Sequence, residues 1–162
     1  MCCHTGWRSD KNIGVVHGDI KPQNVLVFKD AITRKTTVKM ADFGYSTLAV
    51  GESGTVILPK SSPWNAPEHH FGEFKAHEAK KTDVYSFGML CLWVIVGPIS
   101  LERLGDEERP EYMANHLVES MTGLSGEYRI RLKEIFSLTL PHNPGKRTCD
   151  LATVIGLLSK RK

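Results

Sequence analysis

The sequence predicts an α+β chain, mainly helical, with one short β-hairpin set beside a polar loop. Three observations carry this. Residues from about Lys80 to Val96 are apolar on nearly every side, the pattern of a helix buried all round. Leu151, Val154, Ile155 and Leu158 recur at the i, i+3, i+4, i+7 spacing of a second helical face. Upstream, Val25–Phe28 and Thr36–Met40 have strand composition and are separated by a charged turn beginning at Lys29 and Asp30. A chain of 162 residues can bury about 70% of the surface it exposes when unfolded, enough for one compact domain. With 41% hydrophobic and 24% charged residues it is neither a disordered tail nor a membrane protein, and its most apolar run, Val84 to Val96, is too short to cross a bilayer. A formal charge of +3 gives no reason to expect a nucleic-acid partner.

Taken in order, residues 1–12 show no periodicity and read as an irregular segment, with residues 13–162 as the folded unit. The segment lacks the apolar core of a secretory signal. Cys2, Cys3, Cys91 and Cys149 match neither a zinc ribbon nor a disulfide framework, so reduced thiols and a soluble intracellular protein are expected, nuclear or cytoplasmic. Cys91 reads as a small buried hydrophobe. Cys2-Cys3-His4 is a weak metal candidate, because three adjacent residues converge poorly on one ion. The hairpin would hold Asn24 at the start of one strand and Asp42 just past the end of the other. From Tyr45 to Ser62 the chain is rich in Gly, Ser and Thr, as in a mobile surface loop.

In the predicted helix from Lys80, Val84, Phe87, Cys91, Leu92 and Ile95 form one stripe, and Tyr85, Met89, Trp93, Val94 and Val96 cover the rest. Asp83 near its start is a carboxylate in an apolar setting and needs hydrogen-bond donors; helix capping by Thr82 or Asp83 is the alternative. A charged connection spans 97–110. Two helices follow, about Glu111–Met121 with Met113, Leu117 and Met121 on one face, and about Glu127–Leu138 with Leu132, Ile135 and Phe136 apolar. Thr148 is the expected N-cap of the last helix, and Lys160-Arg161-Lys162 suit its negative end.

Chemistry concentrates in Val16-His17-Gly18-Asp19-Ile20-Lys21-Pro22-Gln23-Asn24-Val25-Leu26. Phosphoryl transfer needs an acceptor for a hydroxyl proton, a cation against developing negative charge and an oxygen ligand for Mg²⁺, and Asp19, Lys21 and Asn24 supply these in that order. This loop resembles the catalytic loop of the protein kinases, His-Arg-Asp followed by four residues and Asn. Further kinase signatures follow in family order: Ala41-Asp42-Phe43-Gly44, Ser61-Ser62-Pro63-Trp64-Asn65-Ala66-Pro67-Glu68, Asp83-Val84-Tyr85-Ser86-Phe87-Gly88, and Asn143-Pro144-Gly145-Lys146-Arg147. The resemblance covers residues 13 to 159 and is to the large C-terminal lobe of a kinase-like fold.

The resemblance implies ATP and Mg²⁺ as cofactors and a protein substrate with a Ser or Thr acceptor. It implies Asp19 and Lys21 as catalytic, Asn24 and Asp42 as metal ligands, Lys21, Asn24 and Asp42 as nucleotide-binding, and Ser62, in the substrate-binding P+1 loop, as the hydroxyl contacting Asp19 and Lys21. His17 would pack to anchor the loop, and Phe43 and Gly44 would set the position of the Asp42 turn. Asp83 would accept catalytic-loop N–H groups, and Glu68 would pair with Arg147. Lys21 and the Ser62 hydroxyl favour Ser/Thr over Tyr acceptors. Residues 45–62 would be the activation loop, with Ser46, Thr47, Ser53 and Thr55 as candidate phosphorylation sites. Gly18 stands where many members carry an arginine that pairs with a phosphorylated loop, so activity independent of loop phosphorylation is expected.

No Gly-x-Gly-x-x-Gly run occurs, and 16 residues precede His17, so the nucleotide-covering small lobe is expected to be absent from this polypeptide. Two readings follow. One is a Ser/Thr protein kinase whose small lobe is supplied elsewhere, with this chain alone poorly active. The other is an inactive kinase-like fragment acting as a protein-binding scaffold. Either predicts a protein partner, a small lobe or a scaffold, with no role for nucleic acid or membrane.

Overall fold

The computed structural model describes residues 15–48, 55–97, 109–149 and 151–159. The irregular segment, Cys2-Cys3-His4, Ser53, most of the charged connection and Lys160–Lys162 lie outside them. Among the described residues six strands precede four helices: β1 (Val15–Val16), β2 (Val25–Lys29), β3 (Thr36–Met40), β4 (Thr47–Leu48), β5 (Thr55–Ile57), β6 (Glu73–Lys75), α1 (Ala76–Val96), α2 (Pro110–Ser120), α3 (Gly126–Thr139) and α4 (Leu151–Ser159). Tight helical turns at Pro22–Asn24, Pro67–Phe71 and Pro144–Lys146 connect them. The strands form three two-stranded antiparallel sheets, β1 with β4, β2 with β3 and β5 with β6.

Helix α1 is the axis of the core. It starts at Ala76, ahead of the predicted Lys80, because the Glu78 carboxylate accepts the Lys75 N–H at 2.9 Å and satisfies a donor at the helix entry. Val84, Tyr85, Met89 and Leu92 then pack with Trp64 and Ala66, Ala114 and Val118 of α2, Ile135 and Phe136 of α3, and Leu151 and Val154 of α4. Gly88 sits where a Cβ would run into the Thr139 side chain of α3. Close approach of the two helices thus accounts for a glycine that costs a helix interior about 1 kcal/mol.

Burial of α1 is less complete than its composition suggests. Val94 is 70% exposed, since the described helices cover only one side of the final turn. Cys91 is half-buried, and burial pushes its thiol up to about 12. The buried residues of α2 are Ala114 and Val118, with the predicted Met113 and Leu117 only half-covered beside them. On α4 they are Leu151 and Val154, while Ile155 and Leu158 are exposed and Leu157 packs in their place. Periodicity locates a helix but sets its rotation only to within a residue when apolar side chains flank the stripe. Helix α4 begins at Leu151, so Thr148 stands too far upstream to be its N-cap; the Thr148 N–H donates to the Leu138 carbonyl at 3.0 Å.

A smaller apolar cluster of Val16, Val56, Leu58, Phe74 and Ala79 seats β1 and the β5–β6 pair on the first turns of α1. This corrects the expectation of a mobile loop through residue 62. Val56 and Leu58 are buried because Thr55–Ile57 pairs with Glu73–Lys75, a partner that local composition does not reveal. Among the described residues no helix is long and apolar enough to cross a membrane.

Candidate active site

The loop between β1 and β2 is held from below by α1. Asp83, in the second turn and thus no helix cap, is 2% exposed and accepts the His17 N–H at 2.6 Å and the Gly18 N–H at 2.9 Å. Burial pushes its carboxyl up to about 7, against the downward pull of the bonds from Gly18 and His17. His17 is buried as well. Its Nε2 lies 3.0 Å from the Ala41 carbonyl and its Nδ1 accepts the Asp19 N–H at 3.3 Å, so these bonds require the proton on Nε2. The ring packs on Phe43 at 4.9 Å between centroids, tying the loop to the segment after β3.

Gly18 has φ +81°, in the region glycine adopts most easily, and a Cβ there would stand 2.9 Å from Leu58 Cδ2 and 3.3 Å from the Tyr45 carbonyl. The start of the 45–62 segment is therefore packed directly on the loop. Ser46 adds a bond from its hydroxyl to the His17 carbonyl at 3.3 Å, β1 pairs with β4, and Thr55 is exposed.

On this support Asp19, 5% exposed, gathers three donors. Lys21 Nζ lies 2.7 Å from Oδ2, Asn24 Nδ2 donates to the same oxygen at 3.1 Å, and Ser61 Oγ donates to Oδ1 at 2.7 Å. Burial raises the Asp19 carboxyl, but hydrogen bonds from Lys21, Ser61 and Asn24 together with the Lys21 charge outweigh it and hold the group below the usual carboxylate range. Lys21 Nζ also donates to Ser61 Oγ at 3.1 Å, closing a ring of carboxylate, ammonium and hydroxyl.

That hydroxyl corrects the sequence reading. Ser62 is exposed, and the contact with Asp19 and Lys21 belongs to Ser61. Asn65 decides between the two serines: its Oδ1 accepts the Ser61 N–H and its Nδ2 donates to the Pro59 carbonyl at 3.2 Å, turning Ser61 inward. Counting back from Ala66-Pro67-Glu68 was the available signal, but adjacent serines leave it open to a one-residue slip.

Asn24 is buried in the turn that opens β2, with Nδ2 also donating to the Asp19 carbonyl at 2.8 Å. The β2–β3 ladder continues one step past the hairpin, since the Ala41 N–H donates to the Asn24 carbonyl at 2.8 Å, and this brings Asp42 next to Asn24. Asp42 has φ +58° and is exposed; its Oδ1 accepts the Gly44 N–H at 3.3 Å. Phe43 is 44% exposed. With Nδ2 fixed on Asp19, no described residue donates to the Asn24 Oδ1, and Asp42 follows one residue after the backbone partner of Asn24. An amide oxygen and an exposed carboxylate are the donor types that suit a hard cation such as Mg²⁺, which keeps waters and takes phosphate oxygens as further ligands. Among the described residues no group of three or more His, Cys, Asp or Glu forms a protein-only metal cage.

Glu68, in the turn before β6, receives both ends of the Arg147 guanidinium, Nη1 at 2.6 Å and Nη2 at 2.8 Å. The remaining Arg147 donors reach the carbonyls of Pro141, Lys81 and His142, and the guanidinium lies 4.7 Å over the Tyr85 ring.

The family model for the protein kinase domain matches residues 10–150. Over 136 residues the chain is 24% identical to Sperm motility kinase 2B of Mus musculus, covering 84% of this chain and 26% of that protein. It is 32% identical over 108 residues to Serine/threonine-protein kinase CHK1 of Saccharomyces cerevisiae, covering 63% and 19%. It is 35% identical over 106 residues to Mitogen-activated protein kinase kinase 10 of Arabidopsis thaliana, covering 63% and 32%. The chain thus spans between 19% and 32% of the length of these three relatives. Matched over most of its length, the chain belongs to the protein kinase family.

Proposed function

We propose that this chain provides the catalytic loop, metal ligands and activation segment of a Ser/Thr protein kinase, passing the γ-phosphoryl group of ATP to hydroxyls of protein substrates. The observation that carries it is the convergence of Lys21, Ser61 and Asn24 on the Asp19 carboxylate. Asp19 stays ionised and accepts a hydrogen bond from the incoming hydroxyl, aligning it and taking its proton as the bond to phosphorus forms. Lys21 offsets charge building on the transferred group, and Ser61 keeps Lys21 and Asp19 in register. Asn24 and Asp42 would hold Mg²⁺, which when bound neutralises the phosphate oxygens. Asp83 and His17 fix the loop from behind.

A second reading, a kinase-like binding scaffold, is favoured by one observation. The β2–β3 hairpin leaves Leu26, Val27, Phe28 and Val38 between 44% and 65% exposed, a surface suited to a small lobe or another protein chain. One assay separates the two: phosphoryl transfer from ATP and Mg²⁺ to a Ser/Thr protein substrate, with and without a kinase small lobe supplied in trans. Asp19→Asn should lower the rate about 10²- to 10⁴-fold while the chain keeps its folded circular dichroism. Transfer unaffected by that change removes Asp19 from the mechanism, and partner binding that survives it without any transfer supports the scaffold.

A further inference from the structure

His69 lies in the turn after Ala66, where its side chain is 7% exposed. Its Nε2 is 3.3 Å from the Leu58 carbonyl, which can only accept, so Nε2 carries a proton. The other ring nitrogen, Nδ1, is the one buried side-chain polar atom among the described residues that has no hydrogen-bond partner. A buried polar atom left unpaired is costly, and an apolar side chain of similar size would avoid that cost. His69 also packs on Phe74 at 5.4 Å between centroids, a contact that restrains the ring.

His69 borders a small, partly open cavity of about 10 Å³. Its other walls include Gly18 and Asp19 of the catalytic loop, Asn65, and Thr82 and Ser86 of α1. This volume is about that of one water-sized sphere, the least a single water needs. The lining is polar enough to hold one. Thr82 Oγ1 donates to the Ala79 carbonyl and Ser86 Oγ to the Trp64 carbonyl, so both hydroxyl oxygens keep acceptor capacity. An orphaned acceptor, a water-sized void and a polar wall on the reactive loop coincide.

We infer that this cavity binds one internal water, which donates to His69 Nδ1 and bridges it to the Gly18–Asp19 turn, making His69 a positioning residue for the catalytic loop. The water site stands on the geometry alone; its effect on phosphoryl transfer rests on the kinase reading. Three chain segments then meet at the water: the catalytic loop, the turn that carries Glu68, and α1. Among the described residues no direct hydrogen bond joins His69 to the loop, and the water would supply a polar link between them.

The test reads the water without relying on activity. In the wild-type protein, water-to-amide cross-relaxation by NMR and a crystal structure at atomic resolution should both place one long-lived water within hydrogen-bond distance of His69 Nδ1. A dry cavity in either overturns the inference. In His69→Leu, amide exchange at Gly18, Asp19 and Ile20 should speed up about fivefold, as expected for one lost water-mediated bond, while Ile135 and Phe136 in α3 keep their wild-type protection. Uniform acceleration, or none at the loop, overturns it. If His69→Leu does not fold, the wild-type measurements decide by themselves. If the water is present but Asp19→Asn leaves phosphoryl transfer intact, the kinase reading fails and the water site stands.

Discussion

Two buried aspartates lie within one network and are tuned in opposite directions. Asp83 binds its proton more tightly in the folded chain than unfolded, its carboxyl moving from the ordinary 3.8 to about 7. Its contribution to stability is full below the unfolded value and is lost as pH rises through about 7. Asp19 is lowered, so its contribution is present above the unfolded value and lost as pH falls through the folded one. Melting temperature followed from about pH 5 to 8 should therefore carry a downward slope from Asp83, and Asp83→Asn should flatten it. An unchanged slope in the variant would place its origin elsewhere. The two serines also differ at this scale. Ser61→Ala should lower phosphoryl transfer about tenfold or more by freeing Lys21 and Asp19 from each other, while Ser62→Ala, removing an exposed hydroxyl, should leave the rate within about twofold. Equal effects of the two changes would reject Ser61 as the inward hydroxyl.

Between elements, Arg147 joins the turn holding Glu68 to α1 and to the chain after α3. Its side chain is fully buried and every guanidinium N–H has an acceptor, so truncation leaves Glu68 and three carbonyls short of donors. Arg147→Ala should cost about 3–5 kcal/mol, read as a lower denaturation midpoint in urea, and Arg147→Lys should recover only part of it because an ammonium cannot bind both carboxylate oxygens in the same way. A midpoint unchanged in Arg147→Ala would mean the pair adds nothing to folding. The 45–62 segment is tied down by different means: backbone pairing of β4 and β5, the Ser46 hydroxyl, and contact of Tyr45 and Leu58 with Gly18. None of these needs a phosphate. An arginine at Gly18 would meet both a positive φ and occupied space, so it would not simply restore a phosphate-binding switch.

At the scale of the molecule, the four described helices form the larger core around α1, and the loop carrying Asp19 rests on Asp83 of that helix. The hairpin is the exception, with apolar residues open on both faces: Val27 beside Val38 on one, Leu26 and Phe28 on the other. Replacing Val27 and Phe28 with Thr should weaken association with a kinase small lobe supplied in trans, read by analytical ultracentrifugation, while leaving the helical circular dichroism unchanged. Unaltered association would show that the contact lies elsewhere. Local sequence by itself determined the helices and the hairpin and singled out Asp19, Lys21, Asn24, Asp42, Glu68 and Arg147 as the candidate residues, because spacing, strand composition and charged motifs are properties of neighbouring residues. Only the tertiary structure decided which serine faces Asp19, which side of α2 and α4 is buried, that residues 55–57 form a strand paired with 73–75, and that His69 carries an unpaired nitrogen beside the loop. Those outcomes depend on partners far away in the chain, such as Phe74 across from Val56 and Asp83 beneath Gly18, and no local pattern encodes them.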